Sequence, residues 1–189
     1  FWRIYGLGER GPSRTTIFGH WTECDQVPGD AKLINYGLDF GYSNDPTAVV
    51  AVYSYGGGTL VDEICYGTRL SNADIARILQ PFGKVPVIAD SAEPKSIDEL
   101  VGYGINAHPA RKGPDSVRAG IQYLQSKPLT VTGRSLNLIK ELRNYKWRED
   151  KNGKALNEPV DAFNHAVDAL RYAATWNQAA PNFGRYRVG

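Results

Sequence analysis

Methionine is absent from the 189 residues, cysteine occurs only twice, and the net charge is only +2, from 22 Lys and Arg against 20 Asp and Glu. Each shortage excludes something. Cys24 and Cys65 lie far apart with no CxxC spacing, so neither a disulfide framework nor a cysteine-based zinc site is expected. Two buried thiols in a reducing, soluble compartment are the expectation. The longest apolar run, Ala48 to Tyr53, is far below the roughly 20 residues of a membrane helix, and no signal-peptide pattern opens the chain. No membrane association is therefore expected. A near-neutral chain exerts no strong overall pull on an anionic partner, so any such attraction must be local. No Walker A sequence occurs, which argues against ATP hydrolysis through a P-loop in this chain. With no methionine and a start at Phe1, the sequence reads as a piece of a longer protein.

What is present suits one globular domain: 42% hydrophobic, 22% charged and 11% aromatic residues. Residues 1–33 mix Gly, Pro, Arg and Thr and read as a linker that docks on the domain through short β-prone runs such as Thr15 to Phe18. Gly6 to Gly11 matches GxGxxG, but no strand precedes it and Pro12 follows where a helix should open, so a loop is expected there. From residue 34 the pattern tightens. Ile34 to Phe40, Thr47 to Tyr55 and Thr59 to Tyr66 read as a three-strand meander, turning at Gly56-Gly57-Gly58. Ser71 and Asp74 form a capping pattern before a helix that stops near Pro81, and Val85 to Ala89 is a strand ended by Asp90.

Pro94 opens a second helix, Ile105 to Ala110 is a further strand, Asp115 caps a third helix, and Leu129 to Thr132 is a short strand. Residues 135–147 read as helical, and Asp150 to Lys154 as a turn. The last helix is expected to begin near Asp161. Its buried stripe is Phe163, Val167, Leu170 and Ala174, and its other face carries Asp161, Asn164, His165, Asp168 and Tyr172. The domain is expected to span 34–176, with 177–189 a mobile tail. Meandering strands followed by helical crossovers predict an α/β fold with a mixed sheet flanked by helices, an order that the ribonuclease H-like fold has.

Asp39 interrupts an apolar strand, Asp90 ends another, and Asp168 lies on the polar face of the last helix. All three can meet at one sheet edge. Clustered carboxylates repel unless a cation neutralises them, and hard divalent ions such as Mg²⁺ or Mn²⁺ do so through oxygen ligands. A pair of such ions suits phosphodiester hydrolysis. Singly, each aspartate has a plainer reading, as turn former, cap or solvated helix residue. Asp45 is a turn residue that could assist a metal, and Asp161 and His165 could support the carboxylates from the helix face. His20 and His108 read as structural. Residues 134–154 hold seven basic residues (Arg134, Lys140, Arg143, Lys146, Arg148, Lys151, Lys154) against three acidic ones, a local balance of +4. Lys140, Arg143, Lys146 and Arg148, with Tyr145 and Trp147 interleaved, are candidates for phosphate-backbone contact, and so is Lys112; a solvated helix face is the alternative.

Three stretches together carry a resemblance: Gly37-Leu38-Asp39-Phe40-Gly41 with Asn44-Asp45-Pro46, then Ala89 to Ser96, then Asn164 to Tyr172. Asn137 to Leu142 and Leu156 to Pro159 fit the same pattern. The sequence resembles the C-terminal nuclease domain of tailed-bacteriophage terminase large subunits over about residues 1 to 176. That resemblance implies a ribonuclease H-like, divalent-metal endonuclease cutting double-stranded viral DNA in the host-cell cytoplasm, with Asp39, Asp90 and Asp168 as metal ligands. It also implies an upstream ATPase domain in the full-length protein, joined near Tyr5 to Gly8, and a small terminase subunit and portal protein as partners. Another ribonuclease H-like enzyme of resolvase or transposase type, or a non-catalytic DNA-binding module, are the competing readings.

Overall fold

The structure is a computed structural model that describes residues 15–176. The GxGxxG stretch, the first part of the docking linker and the tail 177–189 lie outside the described residues. The strands are β1 (Thr22–Cys24), β2 (Lys32–Asp39), β3 (Thr47–Tyr55), β4 (Gly58–Gly67), β5 (Val87–Ala89), β6 (Ala107–Pro109), β7 (Leu129–Thr132), β8 (Trp147–Glu149) and β9 (Ala155–Pro159). The α-helices are α1 (Asn72–Leu79), α2 (Pro94–Gly102), α3 (Ser116–Gln125), α4 (Leu136–Asn144) and α5 (His165–Thr175).

The first seven strands form one sheet in the order β1-β7-β4-β3-β2-β5-β6. The central β2-β3-β4 meander is antiparallel, and the strands added on either side are parallel to their neighbours. This is the expected mixed sheet. The β3–β4 turn is made by Gly56 and Gly57, both at positive φ (57° and 76°), which is the backbone a two-residue hairpin demands. Alternation along β3 separates two cores. Ala48, Val50 and Val52 face a cluster built with α3, α4 and α5, whereas Val49 and Ala51 face a cluster built with α1 and α2.

Helix α5 lies across β2 and β3, and the sequence permits this at Gly37: a Cβ there would collide with the Ala169 carbonyl. Ser71 caps α1 in the expected capping box with Asp74. Several expectations give way to local geometry. α4 ends at Asn144 instead of 147, because Tyr145 turns extended and pairs with the leading segment: Ile17 N–H donates to the Tyr145 carbonyl (3.0 Å) and Trp147 N–H to that of Thr15 (2.9 Å). The docking segment thus supplies Ile17 and Phe18 to the core and adds β1 to the sheet edge.

α5 begins at His165, not near Asp161, because Phe163 stands at φ 57°, outside helical geometry. Phe163 is consequently exposed instead of continuing the buried stripe. Asp115 precedes α3, but at φ 61° its side chain makes no capping hydrogen bond. The turn at 150–154 joins β8 and β9 in an antiparallel hairpin whose exposed, mostly polar strands carry no alternation. Cys24 and Cys65 are free, as expected, but half-buried and not fully enclosed.

The Gly37 contact yields a stability test. Gly37→Ala should cost about 3 kcal/mol or more by overpacking, whereas Gly102→Ala, where a Cβ meets nothing within 4 Å, should be neutral or slightly stabilising. Urea unfolding of the two variants checks the contrast.

Candidate metal centre

The register of the sheet brings the first two aspartates together. Leu38 and Ala89 are partners across β2 and β5, so Asp39 and Asp90 follow side by side where the two strands end. The Asp90 N–H donates to the Leu38 carbonyl at 3.1 Å, which fixes that adjacency. Side-chain direction follows from the pleat. Gly37 faces α5 and Ile88 packs with Tyr172 of α5, so Asp39 and Asp90, two residues on, share that face. α5 then delivers His165 and Asp168 from its first turn.

His165 Nδ1 lies 3.2 Å from Asp39 Oδ2, and its Nε2 lies 3.8 Å from Asp45 Oδ1. The loop that carries Asp45 folds tightly over Gly41, where a Cβ would strike Asp45 and Pro46 backbone atoms. Asp45 itself is exposed, its side chain 73% accessible. Lys112 forms an ion pair with Asp90, and the Tyr172 hydroxyl stands 3.5 Å from the other Asp90 oxygen. The buried Arg171 donates to Asp168 Oδ1 from Nε (3.2 Å) and Nη2 (3.0 Å). Its room comes from α3, where a Cβ on Gly120 would overlap the Arg171 side chain.

Burial pushes the Asp39 carboxyl up to about 6; the His165 hydrogen bond opposes the rise, and the charges of Asp168 and Asp90 add to it. Asp168 is raised as well, first by burial, against the pull of Arg171 and Lys112. The hydrogen bond to Asp39 holds His165 above the ordinary imidazole range. Three carboxylates from three elements thus feel one another electrostatically in a partly desolvated cleft. This all-oxygen, mutually repelling donor set fits a hard divalent cation. Among the described residues no three acidic, His or Cys side chains already surround one point at ligating distance. Lys112 and Arg171 each engage the Oδ1 atom of their aspartate.

The remaining candidates divide. Asp161 lies before α5, exposed, and accepts a bond from Asn164 (3.3 Å). Lys140 sits over the ring of Phe163, two residues before α5. Arg143 is engaged with Glu23 (3.2 Å) and the Trp21 ring, and Arg148 with Glu158 (3.0 Å), on exposed surfaces outside the carboxylate cluster. The Lys146 backbone bridges to Thr16 and accepts from Val160 N–H (2.9 Å). His108 contacts Asn106 (2.9 Å) and the Trp176 ring, and His20 is exposed. Sequence reasoning gave no role to Arg171 or Glu141; a charged residue at an otherwise apolar helix position was the available signal for each.

Residues 39–175 match the family profile described as Terminase RNAseH like domain. The chain belongs to this family. It is 38% identical over 183 residues to the terminase large subunit of Bacillus phage SPP1, taking in 88% of this chain and 43% of that protein. It is 30% identical over 154 residues to the PBSX phage terminase large subunit of Bacillus subtilis strain 168, taking in 75% and 34%. The chain spans less than half the length of these curated relatives. The crystal structure of the SPP1 large terminase nuclease domain with bound Mn matches with a TM-score of 0.72 at 30% identity, over 82% of this chain and 96% of that one. The P22 large terminase nuclease domain matches with a TM-score of 0.65 at 14% identity, covering 86% and 92% of the two chains. The large terminase nuclease of thermophilic phage G20c with bound magnesium matches at 0.61 and 17%, covering 87% and 99%. At those identities the last two show the shared fold of this terminase domain, which is ribonuclease H-like.

The raised Asp39 carboxyl sets a pH-dependent stability. Below about pH 4 the group is neutral folded and unfolded; between there and about pH 6 only the unfolded chain ionises it freely, so stability falls as pH rises through this window. In the presence of EDTA, Asp39→Asn should therefore gain on wild type as pH rises from about 4 to about 6. Thermal melts across this range check the sign.

Proposed function

We propose that this chain is a metal-dependent endonuclease domain that cuts double-stranded viral DNA during genome packaging, with Asp39, Asp90 and Asp168 holding two Mg²⁺ or Mn²⁺ ions. The observation that carries this reading is the convergence of the three carboxylates from β2, β5 and α5 on one face of the sheet. The SPP1 nuclease domain with bound Mn supports the metal assignment. Bound there, such ions supply positive charge for the phosphodiester and its leaving oxygen.

The chain's own residues do the rest. Asp39 is oriented by the His165 Nδ1–H, which leaves Nε2 facing Asp45 and able to hold or pass a proton at the mouth of the cleft. Lys112 and Arg171 balance the acidic cluster until the ions arrive, and Lys112, freed from Asp90, is then placed to meet a phosphate. Lys140 extends the basic surface toward the duplex, and Arg143, Lys146 and Arg148 would join it only by releasing or adding to their present contacts. In the full-length protein, the ATPase domain would precede this one, and the small terminase subunit and portal protein would be its partners in the host-cell cytoplasm. No described helix is long and apolar enough to cross a membrane.

Nicking of supercoiled plasmid tests the reading. Wild type should nick in Mn²⁺ or Mg²⁺ and not in EDTA, and Asp39→Ala or Asp168→Ala should remove the activity; Asp39→Ala should melt at or above the wild-type temperature, whereas Asp168→Ala, which strands the buried Arg171, should melt below it. Metal-independent nicking, or full activity in either variant, would refute the assignment.

His165→Ala should lose about 10- to 100-fold, as expected for a residue that orients a ligand. It should retain more activity in Mn²⁺ than in Mg²⁺, because Mn²⁺ tolerates imperfect geometry better. Rates equal to wild type in both metals would leave His165 a bystander.

A further inference from the structure

Glu141 is a carboxylate sealed inside the domain, 2% exposed, in the middle of α4. Among the described residues it forms no ion pair with a Lys or Arg. Its Oε1 accepts the Tyr66 hydroxyl of β4 at 2.8 Å, and its Oε2 accepts the Val167 N–H of α5 at 3.0 Å, with the Ala166 backbone bonded as well. The amides of a helix's first turn lack intrahelical partners, and a side chain at the preceding residue normally meets them. Here Asn164 holds that position and makes no cap, its amide turned to Asp161 at 3.3 Å. The residue before it, Phe163, is in the left-handed region at φ 57°, so the chain bends sharply into α5 with no local support. The cap comes from a different helix, and Tyr66 fixes it to the sheet.

The helix so capped is the one that carries His165 at its first position and Asp168 one turn on. Where α5 begins, and how its first turn is rotated, decides whether His165 reaches Asp39. We propose that Glu141 is a positioning residue of the metal centre, which sets the first turn of α5 against β4 so that His165 and Asp168 stand at the Asp39–Asp90 pair. This rests on the reading that those aspartates hold the metal. Burial pushes the Glu141 carboxyl up, and the Val167 N–H, the Tyr66 hydroxyl and the nearby His165 oppose the rise, as does the helix dipole at this end.

Mn²⁺ binding alone, measured by calorimetry on the 189-residue chain without DNA, separates positioning from plain stability. Glu141→Ala should weaken Mn²⁺ binding by about 10- to 100-fold at temperatures where circular dichroism shows it folded. Glu141→Gln should return to within about threefold of wild type, since its amide oxygen still accepts the Val167 N–H while its NH₂ can donate to the Tyr66 oxygen. Leu100→Ala, which opens the core on the opposite face of the sheet, should lower the melting temperature and leave Mn²⁺ affinity unchanged. Tyr66→Phe, a milder change, should weaken Mn²⁺ severalfold and serves if Glu141→Ala does not fold. The inference is overturned if wild type binds Mn²⁺ and folded Glu141→Ala or Tyr66→Phe binds it equally, or if Leu100→Ala loses as much. A wild-type chain that binds no Mn²⁺ would overturn the metal-site reading together with it.

Discussion

The arrangement depends on how closely α5 approaches β2. A helix ordinarily stands off a sheet by the thickness of the side chains between them. At Gly37 there is no side chain, and the Ala169 carbonyl occupies the room. Ala166, Val167, Ala169 and Ala173 are all buried around this contact, so small residues on the helix match the missing side chain on the strand. The helix is thereby drawn down until residues of its first turn lie level with the ends of β2 and β5. Gly120 repeats the device on the other side of α5, clearing space for the buried Arg171.

Closeness has an electrostatic cost. Three carboxylates in a half-desolvated cleft would push the elements apart, and this is moderated by cations drawn from two places: Lys112 from the loop after β6, and Arg171 and, when protonated, His165 from α5 itself. Each neutralises one aspartate.

Much of this was legible from residue order. The meander, the capping box at Ser71, Asp39 as a charge set in an apolar strand and Asp90 at the end of another follow from period-two alternation and turn chemistry, which are local signals. What escaped was decided by contacts between distant segments. α4 stops at Asn144 because residues 15–17 pair with the chain beyond it, and no pattern within 135–147 announces that. The β8–β9 hairpin is exposed and polar, so it has no buried face to write an alternation. α5 starts late because Phe163 adopts a left-handed backbone, which an aromatic residue rarely does. Glu141 falls at a position where helical spacing expects an apolar residue, and its partner amides come from a helix 26 residues away.

The strand order also governs when, during folding, the cleft comes to exist. The meander is local, but β5 joins on the outer side of β2, β7 joins on the outer side of β4, and α5 packs on β2, β3, β4 and β5 from the far end of the chain. Asp39 and Asp90 are 51 residues apart, and Asp168 follows after a further 78. Contacts of such separation come late, because each closes a long loop before any gain is made. A nascent or partly unfolded chain consequently has isolated aspartates and no cluster. The acidic cluster is thus a property of the finished domain alone and of no local stretch of its sequence.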